Sequence, residues 1–401
     1  ATTDIYTLSL HDALPILMSP DDYEDIRPYT DGEIPEKIEL LLNDPVFGKV
    51  LKAIFPDPEI ENQIRVQLRQ VTSVEQIQRA FGYQIVEKII HSTTRGLSVS
   101  GLDNLDKNKA YLFISNHRDI ILDSAFLNYN IVRYGMNTTH IAMGDNLLIY
   151  DWIVHVVKMN RAIIVKRSLS PKELLKASVI LSSYIRNSIT ERNISVWIAQ
   201  REGRTKDGND KTQVALLKML NLSNNINLAD GFDELTIIPL SISYEIEPSG
   251  IAKVAEMIKK SSYGGYKKTP ADDLMSMAAG FSAQKGRVHF SFGKPLMRSF
   301  LDSINDLPAN EFLLELSKRI DHRIHQYYRL WPFNYVAYDM MNGTGEFTDY
   351  YTSNDIVEFK KMIAGAQGAI SYKPEEVARR FTLMYARPVE NSIIAAEIFR
   401  S

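Results

Sequence analysis

The chain has 401 residues, enough for two or three domain-sized units, and its 45% hydrophobic and 24% charged residues are the composition of a folded globular protein. Forty-six Lys plus Arg against 49 Asp plus Glu leave a net charge of -3, so no basic field recruits nucleic acid and no nucleic-acid partner is expected. There is no cysteine, which excludes disulfide scaffolds, thiolate metal sites and thiol nucleophiles, and no run approaches the roughly 18 apolar residues of a membrane span.

Residues 1–17 have neither the basic start nor the apolar centre of a signal peptide and read as a non-native or disordered leader, with Met18 the natural start. Residues 18–95 read as an N-terminal helical region punctuated by Pro20, Pro28, Pro45, Pro56 and Pro58. Its clearest helix opens with Ser73 and Gln76 at capping-box spacing, and Val74, Ile77, Phe81, Ile85 and Ile89 share one face. Earlier, Ile38, Leu41 and Leu42 beside Lys37 make an apolar face that either packs in a core or docks on anionic lipid.

Beyond Arg95 strands alternate with helices. Leu97 and Val99 alternate with serines, and Ala110 to Ile114 is a buried strand that delivers Ser115-Asn116-His117 at its tip. Ser124 to Tyr134 reads as a helix stopped by Gly135. The unit recurs as strand Arg161–Val165, then a helix opened by Ser170, Pro171 and Glu173. Ser195–Ala199 and Thr236–Tyr244 are further strands, with helical Val214–Leu220 between them. Ile251–Gln284 reads as a helical insertion carrying Lys253, Lys259, Lys260, Lys267 and Lys268, a second candidate for anionic lipid. Strand Gly286–Phe292 follows, and from Asn310 the chain is mostly helical. The pattern predicts an α/β fold with a largely parallel central sheet flanked by helices, an N-terminal helical cap and a C-terminal helical tail. Residues 96–300 would be the α/β domain and 301–401 the C-terminal helical region.

The strongest chemical signal is Asn116-His117-Arg118-Asp119-Ile120-Ile121-Leu122-Asp123, a His and carboxylates in a tight turn at a strand end. A carboxylate that holds one imidazole nitrogen protonated leaves the other free to take a proton from a hydroxyl. The alternative is that His117 only caps a helix or bonds within the turn. A kinase loop would need Asn where Ser124 stands, with glycine-rich and Asp-Phe-Gly motifs that are absent. His322 and His325 share a helix, where tail packing or exposure accounts for them. A strand ends in Arg167, and another runs into Glu202-Gly203-Arg204; forked guanidinium donors and a glycine suit an anion, although each Arg alone also reads as a solvated strand-end charge.

In order, these pieces resemble the glycerolipid acyltransferase superfamily, the glycerol-3-phosphate and 1-acylglycerol-3-phosphate acyltransferases. The blocks are Asn116-His117 with Asp123, Ala162 to Arg167, Glu202-Gly203-Arg204, and Ile237-Ile238-Pro239-Leu240, followed by Gly286-Arg287-Val288 and the Phe292-Gly293-Lys294-Pro295 turn. The resemblance implies His117 as base and Asp123 as its partner, with Asp119 the alternative because the family's Asp stands five places after His, where this chain has Leu122. Arg201 replaces the family's usual Pro. Asn116, Arg167, Glu202, Gly203, Arg204 and Pro239 would form the substrate site, Arg167 and the Arg204 loop holding a phosphate. It further implies acyl-CoA or acyl carrier protein (acyl-ACP) as donor, a phosphorylated glycerol acceptor, no bound cofactor or metal, and a cytoplasmic protein peripheral on the cytoplasmic membrane. The competing reading is a non-catalytic lipid- or acyl-carrier-binding protein on the same fold, supported by the irregular His–Asp spacing.

Overall fold

The computed structural model describes residues 18–262, 277 and 280–398; the leader and Lys267 and Lys268 lie outside them. Among the described residues one sheet holds seven strands: β1 (Thr94–Ser100), β2 (Leu112–Ser115), β3 (His140–Gly144), β4 (Ala162–Val165), β5 (Val196–Ala199), β6 (Ile237–Tyr244) and β7 (Gly286–Phe292). Their order is β1-β7-β6-β2-β5-β3-β4. Strands β6, β2, β5, β3 and β4 are parallel, whereas β7 runs antiparallel to β6 and parallel to β1. The fold is therefore α/β, with a mostly parallel sheet between helices.

The parallel strands are apolar on both faces because both faces are covered. Leu112, Ile114, Val196, Ile198 and Ile237 point into a core shared with helices Pro171–Thr190, Val214–Asn221 and Ala309–Tyr327. Phe113, Trp197, Ile238, Leu240 and Ile242 point the other way, against Phe126, Leu127 and Ile131 of helix Leu122–Arg133. Helix Ala309–Tyr327 belongs to the sheet's own core through Phe312, Leu313, Leu316, Ile320 and Ile324. Burying such a side chain contributes about 1.5–3 kcal/mol.

Sequence and structure differ at several points. Strand β3 escaped the reading because His-Ile-Ala-Met-Gly has no run of β-branched residues; it is a strand because β4 and β5 pair with it on either side. Ser73 caps its helix by accepting from Gln76 N, but the Gln76 amide reaches back to Thr72 N at 2.8 Å rather than to Ser73, so the box is displaced by one residue. The capping box of Ser170 and Glu173 forms as expected, with Pro171 in the first turn. Ile38, Leu41 and Leu42 are a correction to the lipid-docking alternative: all three are buried against Phe47, Leu51, Ile64 and Leu68 of neighbouring helices. Lys253 is likewise buried, with its ammonium on Glu247 and on the Arg118 carbonyl, so it is no surface cation. Among the described residues no helix is long and apolar enough to cross a membrane.

Candidate active site

Strand β2 ends at Ser115, opposite Leu240, while β6 continues to Tyr244. Ile242 thus reaches past its partner strand, and the Asn116 side chain takes that strand's place: Nδ2 donates to Ile242 O at 2.9 Å and Oδ1 accepts from Ile242 N at 2.8 Å. Thr205 N donates to His117 O at 2.9 Å, tying the same turn to the loop after β5. Both contacts fix the backbone from which His117 projects, at the carboxyl edge of the parallel strands where α/β sheets gather functional groups.

His117 Nδ1 lies 2.8 Å from Asp123 Oδ2. Asp123 sits in the first turn of helix Leu122–Arg133, where the positive end of the helix dipole favours a carboxylate. Oδ2 also accepts from Arg118 N at 2.7 Å and Asp119 N at 3.0 Å, and Oδ1 accepts from the Tyr244 hydroxyl at 2.9 Å. A fully buried acceptor of this kind assigns the proton to Nδ1 and leaves Nε2 as the basic nitrogen. The ring stands edge-on to Trp197, 5.8 Å between centroids, and the side chain remains 14% exposed, so the imidazole is not sealed from solvent.

Asp119, the alternative partner, makes no hydrogen bond to the imidazole. Its Oδ1 accepts from Ile121 N at 3.0 Å and Leu122 N at 2.8 Å, closing the turn that takes up the extra residue between His117 and Asp123. Burial and the neighbouring Asp123 raise its carboxyl above the usual range. Asp119 is therefore a turn and helix cap, which is why a six-residue spacing still brings His and Asp together.

Below this turn lies a buried ionic layer that motif reading missed. Arg118 is fully buried; its guanidinium pairs with Asp210, approaches Glu247 at 3.5 Å and lies over the Tyr328 ring. Asp210 further accepts from Thr205 Oγ1 at 2.6 Å, and its carbonyl meets His325 Nε2 at 2.6 Å. His325 is thus a brace on the loop after β5, beyond the tail packing expected of it. Tyr244 and Glu247 could have been noticed as the polar residues that end or follow an otherwise apolar strand; Asp210, in a polar loop, carried no such signal.

The cationic residues gather at the same edge. Arg167 passes over Gly144, the last residue of β3, where an added Cβ would lie 2.7 Å from its guanidinium carbon. It pairs with Glu202 at 3.2 Å and is thereby directed to the loop after β5. Gly203 takes φ +71° in that loop. Arg204 is 7% exposed, its Nη1 has no hydrogen-bond partner, and its charge acts on both Asp119 and Lys253. Arg201 Nε and both amide atoms of the buried Gln200 also lack partners. Lys206 pairs with Glu256, and burial lowers its ammonium to about 8. Pro239 is not at the site's rim: it lies inside the sheet in register with Ile114, its carbonyl bonded to Gly293 N at 2.9 Å, because β6 runs on five residues beyond it.

Residues 96–243 match the protein-family model described as Acyltransferase, a span that contains the dyad, both arginine loops and Pro239. These residues therefore carry an acyltransferase domain. Among solved structures, the 1-acyl-sn-glycerophosphate (LPA) acyltransferase PlsC from Thermotoga maritima is 13% identical over 71% of this chain and 92% of its own, with a TM-score of 0.35. The signal recognition particle 54 kDa protein from Aeropyrum pernix, in complex with GDP, is 12% identical over 91% of this chain and 94% of its own, with a TM-score of 0.21. Neither superposition decides fold or activity. No curated protein matches. The acyltransferase domain thus contains an imidazole oriented by a buried carboxylate, with arginines on the loops that follow neighbouring strands.

Proposed function

We propose that the protein is a glycerolipid O-acyltransferase that moves a fatty acyl group from acyl-CoA or acyl-ACP to a hydroxyl of glycerol-3-phosphate or 1-acylglycerol-3-phosphate. The observation that carries this reading is the His117–Asp123 hydrogen bond at 2.8 Å, which leaves Nε2 as the free ring nitrogen, at the sheet edge where Arg167 and Arg204 follow neighbouring strands. His117 Nε2 removes the acceptor's hydroxyl proton as its oxygen attacks the thioester carbonyl; the tetrahedral intermediate collapses, breaking the C–S bond, and the imidazolium returns its proton to the departing thiolate. Arg204, with an unpartnered Nη1, is the better phosphate ligand, and Arg167 is held against the same loop by Glu202. Binding of a long-chain lipid product favours a site peripheral to the cytoplasmic membrane.

The irregular spacing that supported a non-catalytic relative no longer does so, because the Asp119 turn absorbs the added residue. Thiol release is the direct test, with acyl-CoA and acyl-ACP as donors, a panel of phosphorylated glycerols as acceptors and mass spectrometry of the lipid formed. Transfer that is lost in a folded His117→Ala variant supports the reading; turnover retained in that variant refutes it. Arg204→Ala should raise the acceptor KM, and an unchanged KM removes it from the phosphate site.

A further inference from the structure

The residue that reaches the dyad from outside the family's motif blocks is Tyr244, the last residue of β6. Its hydroxyl donates to Asp123 Oδ1 at 2.9 Å, and it is 1% exposed. Two residues earlier on the same strand face, Ile242 clasps the Asn116 side chain, so the end of β6 holds the catalytic turn at both of its ends. The other Asp123 oxygen takes three donors, from His117, Arg118 and Asp119. Among the described residues Tyr244 alone bonds the second oxygen, and it therefore sets the rotation of the carboxylate plane about Cβ–Cγ. Burial and the two nearby aspartates hold its phenol well above its usual range, which keeps it a donor at every working pH.

We infer that Tyr244 is a positioning residue for acyl transfer: by anchoring Asp123 Oδ1 it aims Oδ2 at His117 Nδ1 and so fixes the direction of Nε2 toward the acceptor hydroxyl. The inference rests on the acyl-transfer reading of His117. It differs from a packing role in a definite way. The ring itself fills the core beside Phe126, Phe290 and Val288, whereas the positioning resides in one oxygen atom.

Tyr244→Phe keeps the ring and removes that oxygen. Losing a hydrogen bond to a charged group should lower kcat by roughly 10- to 100-fold, with the KM of donor and acceptor within about twofold, since Tyr244 touches neither substrate. Tyr385→Phe is the matched control: it also deletes a buried hydroxyl, one that accepts from Glu247 N at 2.9 Å, but it has no contact with the dyad. Melting curves of both variants establish folding. A fall in kcat confined to Tyr244→Phe supports the inference. An unchanged kcat, a loss expressed in KM, or an equal loss in Tyr385→Phe overturns it.

A second readout needs no turnover. In protein labelled with 15N at histidine, the Nδ1–H resonance of His117, assigned by its loss in His117→Ala, should move or exchange faster in Tyr244→Phe. A resonance unmoved by the substitution overturns the positioning role. If the wild-type chain transfers no acyl group but this resonance moves, the proposed activity is wrong and the positioning of Asp123 by Tyr244 stands.

Discussion

Substitution of Asp123 separates charge from orientation at the dyad. Both backbone donors, Arg118 N and Asp119 N, and the imidazole Nδ1 converge on Oδ2, whereas among the described residues Oδ1 meets only a hydroxyl, which can accept as well as donate. In Asp123→Asn the amide carbonyl must therefore occupy the Oδ2 position, with the NH2 facing Tyr244. The imidazole keeps its tautomer and direction and loses only a neighbouring negative charge. Opposite charges about 4 Å apart at an effective dielectric near 20 interact by about 4 kcal/mol, part of which is offset by the desolvation of the carboxylate. The imidazolium that forms during transfer should lose roughly 2–4 kcal/mol, a fall in kcat of about 10²–10³ at pH 7.5. Asp123→Ala removes orientation as well and should fall to about 10³–10⁴ below wild type. Asp119→Asn, which retains a cap for Ile121 N and Leu122 N, should stay within a few-fold of wild type. Steady-state thiol release on the three variants decides the matter. The reasoning is refuted if Asn and Ala at 123 are equally inactive, or if Asp119→Asn is the more damaging change.

Three further outcomes follow from the same contacts. Arg118→Met leaves Asp210 and Glu247 as buried carboxylates without their guanidinium, so urea unfolding should show a loss of about 3–5 kcal/mol, and a loss below 1 would contradict the buried pairing. His140, stacked on Tyr184, is held neutral by burial and by Arg161 and Arg192, its imidazole lowered to about 3. Because the unfolded ring takes up a proton near pH 6.5 and the folded one does not, this stabilisation is present above pH 6.5 and is lost as pH falls, roughly 3 kcal/mol by pH 4; His140→Phe should flatten that part of the stability profile, and an unchanged slope counts against it. Gly208 takes φ +77° with Met384 O 2.4 Å from where a Cβ would stand, so Gly208→Ala should lower stability by at least about 2 kcal/mol, measured by thermal melting.

Strands β2, β4, β5 and β6 were legible because each is a short, mainly apolar run, the pattern of strands buried on both faces, and β7 because apolar and polar residues alternate along it. β3 was not, since five residues of mixed character become a strand only by lying between two others. Parallel and antiparallel neighbours look alike in composition, so the reversed direction of β7 relative to β6 was equally invisible. At the site, His117 and a carboxylate partner were readable from local spacing, and the two arginine loops from strand ends. The Arg118–Asp210 pair spans 92 residues and the Tyr244–Asp123 bond 121, separations at which no local pattern exists.

Residue order alone established an α/β protein with an imidazole at the end of a central strand and cations on the neighbouring loops, because periodicity and strand-end chemistry are local properties. Which aspartate meets that imidazole was a tertiary decision. Both carboxylates lie within one turn of His117, and they were distinguished when Asp119 turned inward to cap the helix that Asp123 enters. That turn presents two backbone amides to Asp123, and β6 supplies a hydroxyl from the far side. Such convergence of donors depends on where the sheet places its strands, and it is what selects the partner.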